Sequence, residues 1–334
     1  MKCILALEDG SVFEGSAFGA EGEAVGEVVF NTQVVGYQEI LTDPAYRKQL
    51  VVMGYPLIGN YGINDRCSES DSAHASALIV KENSSIYSNW QAKGPLDDFM
   101  KKNKVIGIEG IDTRALVVHI RDNGEMRGIV STRDFNKSSL IEKAKAYKLP
   151  DLAREIKSEI RNPKSETIII NLGVNNSTLK RYPKASVVPF DTKAEEILGS
   201  KPKQVVISSG PGDPTRLTGL VGEVKKMIGK VPVLGIQNGA CVLAMALGCS
   251  VSRMKVGHHG VNHPVVDPKA GKGEITSQNH SYGIDSVPKG VKVAHVNLND
   301  RTIERIESGD GACVGTLYFP VDERGKLDPG YKFV

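Results

Sequence analysis

The sequence predicts an α/β protein of two domains, the second built on a mostly parallel sheet with helices on both faces. Three observations carry this. After residue 165, short β-branched runs alternate with helical stretches, a pattern that favours parallel strands joined by helical crossovers. Before residue 150 the chain is instead rich in glycine and short strands. Between them a charged segment, Asp151 to Lys164, ends in Asn162-Pro163 and gives way to the buried-type strand Thr167-Ile-Ile-Ile170. A charged helix, a proline turn and a fresh apolar strand mark a domain junction. The expected division is therefore 1–150, a linker at 151–165, and a second domain at 166–334.

Bulk properties narrow the class. Of 334 residues 40% are hydrophobic, and 42 basic residues nearly balance 39 acidic ones, for a net charge of +3. No basic block or basic–aromatic stripe points to nucleic acid. The opening run MKCILALEDG is interrupted by Glu8-Asp9, too early for a secretory signal or a membrane span. Cys3, Cys67, Cys241, Cys249 and Cys313 are scattered, with no CxxC pair. An odd, dispersed set reads as reduced thiols, so the expected compartment is the cytoplasm.

In the first domain, Gly26 to Asn31 and Gln49 to Met53 read as strands. Ile111-Asp-Thr-Arg114 opens a helix running through Ile120. Asp112 is placed to cap it, because its carboxylate can accept the free N–H groups of the first turn. In the second domain the expected strands are Ser186–Pro189, Gln204–Ser208 and Val231–Gly235. The helices are a Lys/Glu-rich stretch ending near Leu198, then Leu220–Ile228 and Ala240–Leu247. In such sheets chemistry gathers at the carboxyl ends of the strands.

Two loops follow strands there. Ser208-Ser209-Gly210-Pro211-Gly212-Asp213-Pro214 can expose backbone N–H groups to a ligand, although taken alone it reads equally as a rigid turn. Gly235-Ile-Gln-Asn-Gly239 is a sharp strand-to-helix turn bracketed by glycines, the shape of a nucleophile elbow. Its tip is Gln237, whose neutral amide cannot attack a carbonyl carbon.

With these loops and the first domain together, the chain resembles the small subunit of carbamoyl-phosphate synthetase over nearly its whole length. The matching blocks are Gly26 to Thr32, Gly36 to Pro44, Tyr55 to Asn60, Ile111 to Arg114 and Ile120-Arg121, then Ser209 to Pro214, Gly257 to Pro264 and Gln278 to His280. The resemblance implies a swivelling β/β/α first domain that docks on the large subunit. It implies a flavodoxin-like class I glutamine-amidotransferase second domain, which in the family hydrolyses glutamine through a Cys–His–Glu triad and passes ammonia through a tunnel. ATP and magnesium are expected on the large subunit, with no cofactor in this chain; the product serves arginine and pyrimidine synthesis.

The departures fall on that chemistry. Where the family elbow reads G-I-C-L-G-H-Q, this chain has Gly235-Ile-Gln-Asn-Gly-Ala-Cys241, so Gln237 stands at the nucleophile position. Where the family has H-P-E, Phe319 and Val321 occupy the base and orienting positions, and no histidine lies beyond His295. The glutamine pocket reads as vestigial: Gly210, Gly212 and Asn279 remain, while Ala45, Asn238, Cys241, Ser281 and Tyr282 replace the family residues. The family's D-F-G-x-K-like segment has become Asn171 to Asn175.

Cys241 as a relocated nucleophile would sit one helical turn beyond the elbow, about 6 Å along the axis and without a histidine partner. A packed helix cysteine is the simpler reading. His258 and His259 point to opposite faces of an extended segment, so with His263 they are not expected to bind a metal. His280 matches a family residue outside the triad and reads as a pocket wall. The leading function is a non-hydrolysing small subunit that docks on a large subunit and supports ammonia-dependent synthesis. The alternatives are a ligand-sensing or regulatory pseudo-glutaminase independent of the synthetase, and an active glutaminase with rearranged residues.

Overall fold

The computed structural model describes residues 1–156 and 165–320 and divides into two compact units, Met1–Pro150 and Asp151–Val334. In the first, the strands are β1 (Lys2–Leu7), β2 (Val12–Gly19), β3 (Glu23–Asn31), β4 (Gln49–Met53), β5 (Leu57–Ile58), β6 (Ala77–Ile79), β7 (Glu82–Asn83), β8 (Ile106–Glu109) and β9 (Met126–Ser131). The helices are α1 (Tyr37–Thr42), α2 (Leu96–Lys102), α3 (Thr113–Asn123) and α4 (Lys137–Ala146). Seven strands close into a barrel in the order β1-β2-β8-β6-β4-β3-β9, with β9 paired back onto β1.

Closure explains why the strands are apolar on both faces. Leu5, Val28, Leu50, Val52, Ile79, Ile108 and Val130 pack together with Leu116 and Ile120 of α3. The alternate residues Val29, Val51 and Leu78 pack against Ile40 of α1 and Leu96 and Met100 of α2. With both faces covered, the unbroken run of β4 follows from the two-residue period of a strand. The expected cap is present: Asp112 Oδ1 accepts the Ala115 N–H at 3.0 Å. The Gly36–Pro44 block secures a neighbouring loop. The Gln38 carboxamide donates to the Asn64 carbonyl at 2.6 Å and accepts the Asn64 N–H at 2.9 Å. Tyr37 stacks on Tyr61, with ring centroids 4.2 Å apart.

The second unit opens on a 3-10 turn, Leu152–Glu155, with Leu152 and Ala153 buried. The charged helix expected from Asp151 is thus replaced, where it is described, by one tight turn anchored by two apolar side chains; residues 157–164 lie outside the described residues. Next come β10 (Thr167–Asn171), β11 (Ser186–Pro189), β12 (Gln204–Ile207), β13 (Val233–Ile236), β14 (Ser250–Val266), β15 (Gly273–Ser286), β16 (Val291–Asn297), β17 (Ile303–Ser308) and β18 (Cys313–Thr316). The helices are α5 (Asn176–Arg181), α6 (Ala194–Gly199), α7 (Thr218–Met227) and α8 (Asn238–Ala246).

One nine-stranded sheet runs β11-β10-β12-β13-β18-β17-β15-β14-β16. The first five strands are parallel, and the rest form an antiparallel wing. Ile168, Ile170, Val205, Ile207 and Val233 face α6, α7 and α8. Ile169, Val206, Leu234 and Val314 face the other way, towards Leu179 of α5. This is the two-sided covering expected of a parallel sheet. Among the described residues no helix is long and apolar enough to cross a membrane.

Close packing in the barrel makes a direct test possible. A Cβ on Gly26 would lie 2.1 Å from the Lys48 carbonyl oxygen, a backbone atom that accepts the Glu27 N–H at 3.3 Å. Gly26→Ala is expected to lower stability by about 1–3 kcal/mol, the usual cost of overpacking. Gly94→Ala, whose Cβ would meet nothing within 4 Å, should leave the urea midpoint unchanged. Equal midpoints for both variants would refute this account of the packing.

Candidate functional site at the carboxyl ends of the parallel strands

β13 ends at Ile236 and α8 begins at Asn238, leaving Gln237 alone to reverse the chain. It does so with φ 51° and ψ −115°, a left-handed conformation that costs a non-glycine residue about 1–3 kcal/mol. Tight packing leaves no other path. A Cβ on Gly235 would lie 2.5 Å from the Gly239 carbonyl oxygen, and one on Gly239 would lie 2.2 Å from that of Ile207. The Gln237 N–H donates to the Thr316 carbonyl at 2.7 Å. The Gln237 carbonyl accepts from Ala240 and Cys241, starting α8. The elbow expected from the sequence is therefore formed, with glutamine at its tip. That side chain is buried, and neither carboxamide atom has a hydrogen-bond partner among the described residues.

Beside it runs the loop after β12. Gly210 has no room for a side chain, since a Cβ there would fall 1.8 Å from the Leu172 carbonyl oxygen. Gly212 takes φ +86°. Asn238 fastens this loop to the elbow: its Nδ2 donates to the Gly210 carbonyl at 2.7 Å and to that of Gly212 at 3.0 Å. Ser209, also buried, has a hydroxyl without a partner among the described residues. Its position in the loop was visible in the sequence, but its burial was not. Asn171, which ends β10 and opens the altered segment, accepts the N–H groups of Gly173 and Val174 at 2.9 and 2.8 Å. It now holds a turn.

The other expected site residues are distributed as follows. Phe319 packs with Ile169, Leu234, Ile236 and Val314, and its N–H donates to the Ser277 carbonyl at 2.9 Å. Val321 lies outside the described residues. Asn279 and Ser281 meet at His259: Asn279 Oδ1 is 2.7 Å from Nδ1, and Ser281 Oγ is 3.5 Å from Nε2. Cys241 and Tyr282 sit together in an apolar cluster with Ala244, Cys249, Ile284, Ile306 and Leu317. Ala45 belongs to the first unit, in the buried 3-10 turn Pro44–Tyr46, where its N–H donates to Asp43 Oδ1 at 2.9 Å.

This arrangement is a sharp strand-to-helix turn with a carboxamide at its tip. A carboxamide is not a nucleophile at neutral pH, and a phenyl ring packed on the sheet cannot take a proton. Cys241 offers no substitute. Burial, with the Glu304 carboxylate adding to it, pushes its thiol far above the usual range, whereas a nucleophilic cysteine needs the thiolate.

Two family models match the chain in order. The carbamoyl-phosphate synthase small chain, CPSase domain, covers residues 5–130, and glutamine amidotransferase class-I covers residues 171–320. The chain is 41% identical to the carbamoyl phosphate synthase small chain of Syntrophotalea carbinolica, over 100% of this chain and 96% of the relative. It is 42% identical to the small chain of Aquifex aeolicus, over 99% and 96%, and 39% identical to that of Archaeoglobus fulgidus, over 100% and 97%. With both domains matched and identities of this order spanning essentially the whole length of each relative, the chain belongs to the carbamoyl phosphate synthase small chain family.

Proposed function

We propose that this chain serves a carbamoyl phosphate synthase as a small chain that does not hydrolyse glutamine. It docks on a large chain, which binds ATP and magnesium and makes carbamoyl phosphate from free ammonia for pyrimidine and arginine synthesis in the cytoplasm. One observation carries this reading: a fully formed elbow presents Gln237, a neutral amide, where acyl transfer needs a nucleophile. Phe319, packed among apolar side chains, supports it. In a protease that works by the same logic, loss of the nucleophile alone costs about a million-fold in turnover.

A second reading draws on the same pocket. The orphaned Gln237 carboxamide and Ser209 hydroxyl would suit a small polar ligand that is bound and not cleaved, because buried polar groups in native proteins are normally paired. A rise in Tm with millimolar glutamine or glutamate would favour it.

The complex of this chain with its large chain is expected to make carbamoyl phosphate from ammonium and to release no glutamate from glutamine. Gln237→Cys alone should stay inactive. Adding Phe319→His and Val321→Glu to it should raise glutamate release by about 10²–10⁴, the usual contribution of a positioned general base. Glutamine-driven synthesis by the unaltered complex at the ammonium-driven rate would overturn the reading. If that activity fell in Cys241→Ala, the rearranged-glutaminase alternative would take its place.

Thiol reactivity gives a separate check. Cys67 is the partly exposed cysteine, and Cys3, Cys241, Cys249 and Cys313 are buried. Burial raises the Cys249 thiol to about 11. A thiol reagent added to the folded chain at neutral pH should label Cys67 first and leave Cys241 intact. Rapid labelling of Cys241 would contradict the burial described above.

A further inference from the structure

The antiparallel wing gathers titratable side chains on the face opposite His259 and Asn279. His258 of β14 lies directly across from His280 of β15, their rings edge to face with centroids 5.1 Å apart. Glu304 of β17, with no exposed side-chain surface, reaches both: Oε1 is 3.0 Å from His258 Nδ1 and Oε2 is 3.6 Å from His280 Nε2. One donor atom from each of the three residues lies within 4.8 Å of the others. The ring of His263 stands 5.0 Å from that of His258, and its Nε2 is buried without a partner among the described residues.

Glu304 Oε1 accepts from Asn297 Nδ2 at 3.3 Å and lies 3.1 Å from the Thr302 hydroxyl, but around the imidazoles acceptors face acceptors. His280 Nδ1 is 2.9 Å from the Tyr282 carbonyl, so it carries the proton. Its Nε2 then faces Glu304 Oε2 and, at 3.3 Å, Gln278 Oε1. The Gln278 amide is fixed that way round. The Thr276 hydroxyl donates to the His263 carbonyl at 2.8 Å and so can only accept from Gln278 Nε2, at 3.0 Å. His258 is hemmed in by carboxylates, with Asp300 Oδ2 2.8 Å from Nε2 and Glu304 at Nδ1. Glu304 Oε2 has no hydrogen-bond donor among the described residues. Lone pairs so arranged need an extra proton on each imidazole or one cation between them.

We propose that His258, His280 and Glu304 form a zinc site that ties β14, β15 and β17 together. Two imidazoles and one carboxylate are a borderline donor set suited to Zn²⁺. Bonds of about 2.0–2.1 Å place tetrahedral ligand atoms about 3.3 Å apart; each imidazole nitrogen lies near that distance from a different oxygen of the carboxylate, His258 Nδ1 3.0 Å from Oε1 and His280 Nε2 3.6 Å from Oε2. Each histidine also has its other nitrogen on an orienting acceptor, Asp300 for His258 and the Tyr282 carbonyl for His280. That is the usual support of a metal-bound imidazole. The fourth position falls to His263 or to water. Entry is from the side of Asp300, whose side chain is 44% exposed.

The test uses the full chain, freed of metal by dialysis against a chelator and titrated with Zn²⁺ by calorimetry at neutral pH. One equivalent is expected to bind with a rise in Tm, and Co²⁺ in its place should show tetrahedral visible bands. His280→Gln and Glu304→Gln should abolish the stoichiometric step. Asp300→Asn, at a half-exposed position that folding tolerates, should weaken it about 10–100-fold. Absence of stoichiometric binding by the folded wild-type chain overturns the site. So does binding that survives Asp300→Asn unchanged and is lost in Cys67→Ser.

Discussion

The backbone bond from the Gln237 N–H to the Thr316 carbonyl joins the ends of β13 and β18 at the point where the chain must turn sharply into α8. The positive φ of Gln237 is tolerated because its neighbours leave no alternative: Gly235 lies against α8, and Gly239 lies against the end of β12. None of these contacts uses the side chain at the tip. The cost of about 1–3 kcal/mol is therefore met by the sheet, whatever residue stands there. A site of this construction can exchange its reagent and keep its shape, since chemistry resides in side chains grafted on a fold.

The residues around the turn separate into two kinds. Asn238 donates to two loop carbonyls, Asn171 holds two backbone N–H groups, and Phe319 fills an apolar position on the sheet. Each satisfies its own surroundings, as expected where packing is the role. Gln237 and Ser209 do not, and their buried polar atoms lack partners among the described residues. Had the whole site become packing, an apolar tip would cost less than an unpaired amide. The unpaired groups at the elbow are thus the tip residue and the loop serine beside it.

Local pattern revealed much of this fold. The alternation of β10 through α8, the cap at Asp112 and the glycine-bracketed elbow depend on neighbours close in sequence, and each was legible. The closed barrel of the first unit and the antiparallel wing of the second were not, because closure and pairing are decided between distant strands. The histidines show the limit clearly. The opposite facing of His258 and His259 follows from the two-residue period of a strand, and they do point apart, His258 towards His280 and His259 towards Asn279. The partners could not be read from that period. The β14–β15 register shifts between Arg253 and His258 and again between Gly260 and His263, and Glu304 arrives from a third strand.

The wing and the elbow also share a ladder. Arg305 of β17 pairs with Thr316 of β18, and the Leu317 N–H donates to the Glu304 carbonyl at 2.9 Å. The carboxylate that the imidazoles surround therefore belongs to a residue whose backbone fixes the end of β18, and with it the Thr316 carbonyl that holds Gln237. A carboxylate with no exposed surface is costly unless positive charge compensates it. What neutralises Glu304 thus bears on how firmly β17 holds β18, and through β18 on the geometry of the turn. The strained elbow and the buried charge are joined by one continuous run of backbone hydrogen bonds.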